Sequence, residues 1–231
     1  MAQKSKIKTV LKASLIAIIT IVALLLIFNR QVSYWLIKSY QPEITRDKVA
    51  KAQPKKADYN FSKVKSLGVQ QVVKARSQPN KVQIAGQILI PQIGLHLPIE
   101  LGGVSNDTLA LAAGTMRADQ KMGTGNYPLA GHHMVDSNIL FGPLYTKAQA
   151  GQLIYLTNMK TVYEYRIYKR QFIAATDVDV INQTQRPIIT LITCDATGAG
   201  RLMIRGRYLK SYSLNQAEPK IKRALNGPVN S

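Results

Sequence analysis

Cys194, the only cysteine among the 231 residues, stands where the apolar run 188–192 gives way to a glycine-rich stretch. Strand ends that meet loops are where protein scaffolds display reactive groups, and a thiolate is a strong nucleophile. Cys194 is therefore a candidate for nucleophilic catalysis. The competing interpretation is that its side chain is a small buried hydrophobe, as most free cysteines are.

A thiol nucleophile needs a base or a cation that supplies thiolate, and donors that hold an oxyanion. His132 and His133 follow the apolar segment 126–131 and are the candidate bases, whereas His96 lies between two leucines and is interpreted as structural or surface. Neighbouring residues of a strand point to opposite faces, so at most one of the pair faces Cys194. One cysteine excludes a multi-thiolate metal site, and no third ligand lies near the adjacent histidines, so we predict no metal site.

Three arginines are candidates for the cation. Arg201, Arg205 and Arg207 alternate along one run and share one face of the predicted strand. Arg201 is nearest in sequence to the loop that leaves Cys194, which makes it the natural neighbour of the thiol. We expect Arg205 and Arg207 further along the solvent-exposed face.

Short apolar runs separated by Gly, Pro and Asn must position these side chains. Such runs between turn residues are typical of a β-barrel or a β-sandwich. They cover residues 84–90, 95–101, 152–157, 161–173, 188–194 and 201–212. Two helices are also expected: one capped by Ser105, carrying Leu109 and Leu111 and ending at Gly114, and one over residues 144–150.

Residues 10–28 form an almost uncharged apolar stretch that follows the lysine-rich residues 1–9. About 20 apolar residues cross a bilayer, whereas a cleaved signal peptide has a shorter apolar core and a small-residue cleavage site. Bulky residues follow here, so we favour an uncleaved transmembrane anchor over residues 10–28. The leading lysines predict that residues 1–9 are cytoplasmic and the rest is extracellular, with Tyr34 and Trp35 at the outer interface.

The formal charge of +19 is concentrated near the N-terminus, because residues 1–81 hold 16 of the 31 basic residues and only three acids. A nucleic-acid reader would carry its cations on the folded domain, so this distribution argues against one. Residues 29–81 lack apolar periodicity and are predicted to be a basic stalk or linker. Its charge either attracts anionic lipid or wall polymer or only keeps a spacer solvated. Residues 82–212 are the predicted folded domain and 213–231 a polar tail.

Three short motifs surround the candidate residues: TLITC at 190–194, LAGH at 129–132 and RLMIRG at 201–206. Cys194 lies 62 residues after His132 and seven before Arg201. In these motifs and spacings the chain resembles a class A sortase, a membrane-anchored cysteine transpeptidase of Gram-positive bacteria. The resemblance implies a mainly β fold, a closed eight-stranded sortase-type barrel with short helices, preceded by one N-terminal transmembrane helix.

The resemblance also implies a mechanism. Cys194 would attack the Thr–Gly carbonyl of an LPxTG-like sorting signal on a secreted protein and form a thioacyl enzyme. His132 would protonate the leaving amine and then deprotonate the amine of a peptidoglycan precursor of the lipid II type, while His133 points away. Arg201 would hold the substrate carbonyl and stabilise the oxyanion, because a guanidinium stays charged and presents donors in a fixed fork.

By the same resemblance, the peptide groove follows the strand that ends at Cys194 and lies under the connection 174–187. The implied substrate-binding residues are Val178 and Val180 in that connection and Ala130, Ile192 and Thr193 on the groove floor, where Thr193 can contribute a hydrogen bond. The apolar residues among them are equally well explained by packing in a core.

Some class A sortases bind calcium through several carboxylates. The corresponding stretch here, 117–122, offers only Asp119 beside two cations. Asp177 and Asp179 of the connection add too little for an ion that prefers about 6–8 oxygen ligands. We therefore predict no cofactor and no dependence on calcium.

Three alternatives stay open: a pilin-polymerising sortase, a hydrolytic cysteine protease, and a non-catalytic anchored β-domain that binds wall polymer. The polar tail 213–231 contains no second apolar span, which favours an enzyme of cell-wall anchoring over a pilin-polymerising one. Hydrolysis and amine transfer differ in water exclusion and in access of the acceptor amine, so both reactions stay among the alternatives.

Overall fold

The computed structural model describes residues 2–53, 59, 67–78, 83–134, 138–194 and 198–230. The predicted boundary between stalk and folded domain, at residues 81 and 82, lies outside these residues. So do residues 54–58 and 60–66 of the predicted stalk, and residues 195–197 of the glycine-rich stretch that follows Cys194.

Within the described residues, eight strands close into a barrel in the order β1-β2-β3-β4-β7-β8-β6-β5. The strands are β1 Ile84–Ile90, β2 Leu95–Glu100, β3 Ala113–Thr115, β4 Asn126–Ala130, β5 Leu153–Thr157, β6 Thr161–Ala174, β7 Ile188–Cys194 and β8 Gly200–Ser213. This confirms the closed eight-stranded barrel. All six runs expected to be strands form strands, whereas β3 has too few residues to give an alternating pattern.

The helices of the described chain lie at both ends and between strands. They are α1 Ala2–Ile27, α2 Asn29–Lys38, α3 Arg46–Lys51, α4 Val69–Arg76, α5 Asn106–Leu109, α6 Gly142–Lys147 and α7 Pro219–Leu225. The Ser105 hydroxyl caps α5 by accepting a hydrogen bond from the Thr108 amide at 3.1 Å, as expected. The helix ends at Leu109, so the prediction that it carries Leu111 and ends at Gly114 is wrong. Gly114 belongs to β3 and pairs with both β2 and β4.

Strand β7 is buried along almost its whole length and lies between β4 and β8. It runs parallel to β4 and antiparallel to β8. A parallel pair needs a long crossover, and here the chain between β4 and β7 contains α6, β5 and β6. The carboxyl ends of β4 and β7 therefore meet the beginning of β8 at one edge of the barrel.

Parts of the predicted stalk and tail pack on the barrel. Ile37 of α2 and Val72 of α4 are fully buried and belong to the main apolar core. Ile221 and Leu225 of α7 pack with residues of β1 and β5 in a second cluster. Helix formation gives these short basic segments an apolar face that their composition conceals.

Helix α1 extends over 26 residues. Within the described residues, no single helix has the length and apolar composition required to cross a membrane. The segments Val10–Leu24 and Asn29–Lys38 meet that requirement only as a pair, by length and composition, and they are bent by 69°. The expected single transmembrane helix is therefore not confirmed.

Candidate active site

The ends of three neighbouring strands bring Cys194, His132 and Arg201 to one edge of the barrel. Cys194 is paired with Arg201 in the antiparallel register of β7 and β8. Ala130 is paired with Ile192 in the parallel register of β4 and β7. His132 and Cys194 each follow that pair by two residues, so His132 extends from the β4 end towards the same edge.

Hydrogen bonds beyond β4 continue this pairing up to His132. The Gly131 amide donates to the Ile192 carbonyl at 3.1 Å, and the Thr193 hydroxyl donates to the Gly131 carbonyl at 2.8 Å. The Phe141 amide donates to the His132 carbonyl at 3.1 Å. A Cβ at position 131 would lie 2.6 Å from the Phe141 ring, so this close approach requires glycine. The histidine backbone is thus held from two sides.

Cys194 is half-buried, so its thiol is not sealed in the core. Its residue type and its place at the strand end agree with a nucleophile that a substrate can reach. Arg201 is also half-buried, and its Nη1 donates to the carbonyls of Gly198 at 3.0 Å and Gly200 at 2.8 Å. These bonds hold the guanidinium near the loop between β7 and β8, beside the residue paired with Cys194.

The imidazole of His132 is only 6% exposed. Its Nε2 is buried and has no hydrogen-bond partner among the described residues. Burial lowers the pKa of His132 to about 4, because the charged form loses its hydration. At neutral pH the ring is therefore neutral and has a nitrogen available to accept a proton.

His133 makes different contacts from its neighbour. Its ring stacks on Tyr145 of α6 with centroids 4.4 Å apart, and Tyr145 meets Phe172 of β6 edge to face at 5.9 Å. The Arg170 guanidinium lies over Phe172 and donates to the Tyr145 carbonyl at 2.8 Å. This aromatic row connects the end of β4 with β6.

The predicted groove residues are brought together only in part. Ala130 and Ile192 pack in a small apolar cluster with Leu109 and Met116, and Val180 covers this cluster. Val178 is 67% exposed and does not belong to it. Thr193 is fully buried, and its hydroxyl donates to the Gly131 carbonyl, so it is not on the surface that Ile192 presents.

Comparisons with known proteins agree with this geometry. A family model described as the sortase domain matches residues 88–209. Sortase A of Listeria monocytogenes is 37% identical over 190 residues, covering 80% of this chain and 85% of that protein. Sortase A of Streptococcus agalactiae is 31% identical over 228 residues, covering 94% of this chain and 92% of that protein.

The chain belongs to the sortase family. The crystal structure of L. monocytogenes sortase A superimposes with a TM-score of 0.56 at 38% identity, covering 62% of this chain and 96% of that one. The protein is accordingly a cysteine transpeptidase, as the sequence motifs predicted. Its sequence offers this chemistry one cysteine, Cys194.

In this sortase the connection between β6 and β7 forms a lid, residues 175–187, that Asn126 fastens to the barrel. Asn126 is fully buried and donates from Nδ2 to the carbonyls of Val180 at 3.0 Å and Asn182 at 3.1 Å. Its Oδ1 accepts from the Thr190 hydroxyl at 2.8 Å. An asparagine opening a strand gave no distinctive signal in the sequence.

Arg205 differs from its sequence-based prediction. It is half-buried, and its Nη2 donates to the Val180 carbonyl at 3.1 Å, so it supports the lid instead of facing solvent. Arg207 is exposed as expected, with its guanidinium over the Tyr168 ring. Alternation predicted the shared face correctly but could not predict that the lid covers part of it.

The acidic residues near the lid accept hydrogen bonds from other groups of the protein. Asp119 accepts two hydrogen bonds from the Arg117 guanidinium, both at 2.8 Å. Asp177 accepts from the Ala174 amide and Asp179 from the Asn182 amide group. The described residues contain no group of three His, Cys, Asp or Glu side chains arranged to hold a metal ion.

Proposed function

We propose that this sortase cleaves an LPxTG-like sorting signal between Thr and Gly and transfers the Thr carbonyl to the amine of a peptidoglycan precursor. Its role would be to anchor secreted surface proteins to the cell wall. The observation that carries the proposal is the meeting of a thiol, a neutral imidazole and a guanidinium at three adjacent strand ends. This set contains the nucleophile, proton carrier and oxyanion donor of acyl transfer.

In the first half-reaction, the sulfur of Cys194 attacks the Thr carbonyl carbon and forms a C–S bond. The neutral His132 accepts the thiol proton and delivers it to the glycine nitrogen as the C–N bond breaks. Arg201 donates N–H groups to the carbonyl oxygen while that oxygen is negative. The products are a thioester on Cys194 and a free glycine amine.

In the second half-reaction, an acceptor amine attacks the thioester carbonyl. His132 accepts a proton from this amine and returns it to the sulfur as the C–S bond breaks. Arg201 stabilises the second oxyanion as it did the first. The new amide joins the cleaved protein to the acceptor, and the enzyme regains its thiol.

The leucine and proline of the signal would bind over the apolar cluster that ends beside Cys194. Ala130 and Ile192 form its floor and Val180 its cover. Apolar contacts of this kind hold a peptide while the catalytic groups select the bond. We assign Val178 to the outer rim of the lid, because most of its surface is exposed.

We further propose that the enzyme is a single-pass protein of the cell membrane with an extracellular catalytic barrel. The side chains of large apolar residues from Val10 to Phe28 are exposed around α1, for example Leu15, Ile19 and Leu26. Exposed apolar surface on this scale is typical of a segment that contacts a membrane or another protein. The lysine-rich N-terminus supports a cytoplasmic location for residues 1–9.

Mass spectrometry of the intact enzyme after incubation with an LPxTG peptide tests the catalytic proposal. We expect an acyl adduct on Cys194 with the mass of the peptide up to Thr, released by an added amine as an amide product. Cys194→Ala should form no adduct while retaining its fold. Release of free acid alone despite added amine would favour a hydrolytic protease, and an unmodified thiol with intact peptide would refute the proposal.

A further inference from the structure

Helix α2 connects the apolar helix α1 to the barrel. One face of α2 is buried in the protein and the opposite face is exposed. Ser33 and Ile37 are buried, and Ile37 belongs to the main apolar core, whereas Trp35 is 66% exposed. Two residues advance a helix by about 200°, so Trp35 lies on the side opposite Ile37. Lys38 and Gln31 are also exposed. The helix thus has one face in the protein core and one face available to a partner.

The attachment of α2 to the barrel is held by polar contacts as well. The Arg76 guanidinium of α4 donates to the Leu36 carbonyl and, at 2.7 Å, to the Ser39 hydroxyl. Directly after α2, the Gln41 side chain accepts from the Val229 amide at 3.0 Å near the C-terminus. The exposed face of α2 therefore has a fixed direction relative to the barrel.

The neighbouring helix indicates what this exposed face meets. Residues 10–28 are 19 residues, which at about 1.5 Å per residue match the roughly 30 Å of bilayer hydrocarbon. The chain then bends by 69° into α2. Arg30 and Lys38 are exposed at the two ends of α2, and burying such charges in hydrocarbon is costly. Helix α2 consequently belongs at the surface of the bilayer.

We propose that α2 lies on the anionic outer surface of the membrane, with the Trp35 ring at headgroup depth and Lys38 directed at lipid phosphates. No acidic residue precedes Glu43 in the sequence, so the segment has only positive charge to offer. Indole rings favour the boundary between water and lipid. This proposal rests on the membrane anchor proposed above. It makes α2 a rigid support that orients the catalytic barrel on the membrane.

Fluorescence can test this directly, because Trp35 is the only tryptophan. The full chain is reconstituted in vesicles containing phosphatidylglycerol, with lipids brominated near the headgroup or deep in the acyl chain. We expect the shallow bromines to quench Trp35 more than the deep ones, and aqueous acrylamide to quench it weakly. Strong quenching by acrylamide alone, or strongest quenching by deep bromines, would overturn the proposal.

A second probe separates failure of this inference from failure of the anchor. In the double variant Ile19→Trp, Trp35→Phe, the tryptophan reports the middle of residues 10–28, and deep bromines should quench it most. If this probe responds as expected and Trp35 does not, the anchor stands and the surface helix is wrong. If neither responds to bromines, both proposals fail.

The charge requirement has its own control. Quenching of Trp35 by lipids brominated near the headgroup should decrease in vesicles of phosphatidylcholine alone. Lys38→Gln should reduce the difference in this quenching between vesicles with and without phosphatidylglycerol. Lys38→Arg, which keeps the charge, should behave like the original protein. Equal quenching in both lipids for all three proteins would contradict an anionic partner.

Discussion

Cys194 and Arg201 face each other as a paired position of two adjacent antiparallel strands. The pairing makes their separation a property of the sheet and not of the loop that connects them. A guanidinium at this position can address a carbonyl bound to the sulfur from the neighbouring strand. Arg207 lies on the same face of β8, six residues after Arg201, and it is exposed.

Arg201→Lys should therefore reduce kcat/KM for an LPxTG peptide by about 10²- to 10³-fold, as expected for the loss of an oxyanion donor. Lysine keeps the charge but lacks the planar fork that reaches both the loop carbonyls and a substrate oxygen. Steady-state kinetics of peptide cleavage provide the measurement.

Arg207→Lys is the matched control for Arg201→Lys. It makes the same chemical change on the same strand face, and its effect should stay within about twofold, as for ordinary surface substitutions. Similar losses in both variants would argue that β8 needs arginine for its structure and that Arg201 has no special part in the reaction.

The contrast between these arginines illustrates what the sequence can predict. Strand alternation and the position of Cys194 at a strand end favour Arg201 among the arginines and restrict the base to one of His132 and His133, and the motifs shared with sortases select His132. They do not reveal that Arg205 turns to the lid, because that contact depends on a loop distant in sequence. Likewise Ile37 and Val72 follow no strong apolar pattern, and only their docking on the barrel makes them core residues.

The lid provides a prediction about substrate binding. Asn126→Ala removes both hydrogen bonds from Nδ2 to the Val180 and Asn182 carbonyls and the bond that Oδ1 accepts from Thr190. The lid should then be held less firmly over the apolar groove, because only the Arg205 bond to the Val180 carbonyl remains of the side-chain ties described above. Two hydrogen bonds at about 1 kcal/mol each correspond to a KM increase of roughly tenfold or more. The value of kcat should change less, because the three strand ends are untouched.

Asn182→Ala offers the corresponding control within the lid. Among the described residues, the Asn182 side chain bonds only to Asp179 of the same segment, at 3.0 Å, and does not tie the lid to the barrel. Its KM should remain near that of the original enzyme. A KM increase as large as that of Asn126→Ala would mean that lid folding, and not lid attachment, limits binding.

Calcium should leave the activity of this sortase unchanged. Both carboxylate oxygens of Asp119 bond to Arg117, and an ion with 6–8 oxygen ligands would have to displace this guanidinium. Initial rates of peptide cleavage should be equal with excess chelator and with added calcium. Activity that disappears with chelator and returns with calcium would contradict this prediction.

Thr193 should matter as a tie between strands. Thr193→Val keeps the shape of the side chain but leaves the Gly131 carbonyl without the hydroxyl that bonds to it at 2.8 Å. A buried group left unpaired costs about 1–3 kcal/mol, and the backbone that carries His132 should become less well fixed. We expect a lower unfolding temperature and a reduced kcat with little change in KM. Thr193→Ser, which retains the hydroxyl, should preserve most of kcat.

The burial of His132 predicts how stability depends on pH. Its pKa is about 4 in the folded protein and about 6.5 in an unfolded chain, so below pH 6.5 the unfolded state binds a proton that the folded state does not. Stability from this group is complete above pH 6.5 and is lost as the pH falls to about 4, a change of about 3 kcal/mol.

His132→Asn cannot titrate, so its free energy of unfolding should fall less than that of the original protein between pH 7 and pH 4. His96, whose pKa burial also lowers, is present in both proteins and cancels in the comparison. Parallel stability curves for the two proteins would show that the imidazole of His132 is hydrated and titrates in the folded protein as it does in the unfolded chain.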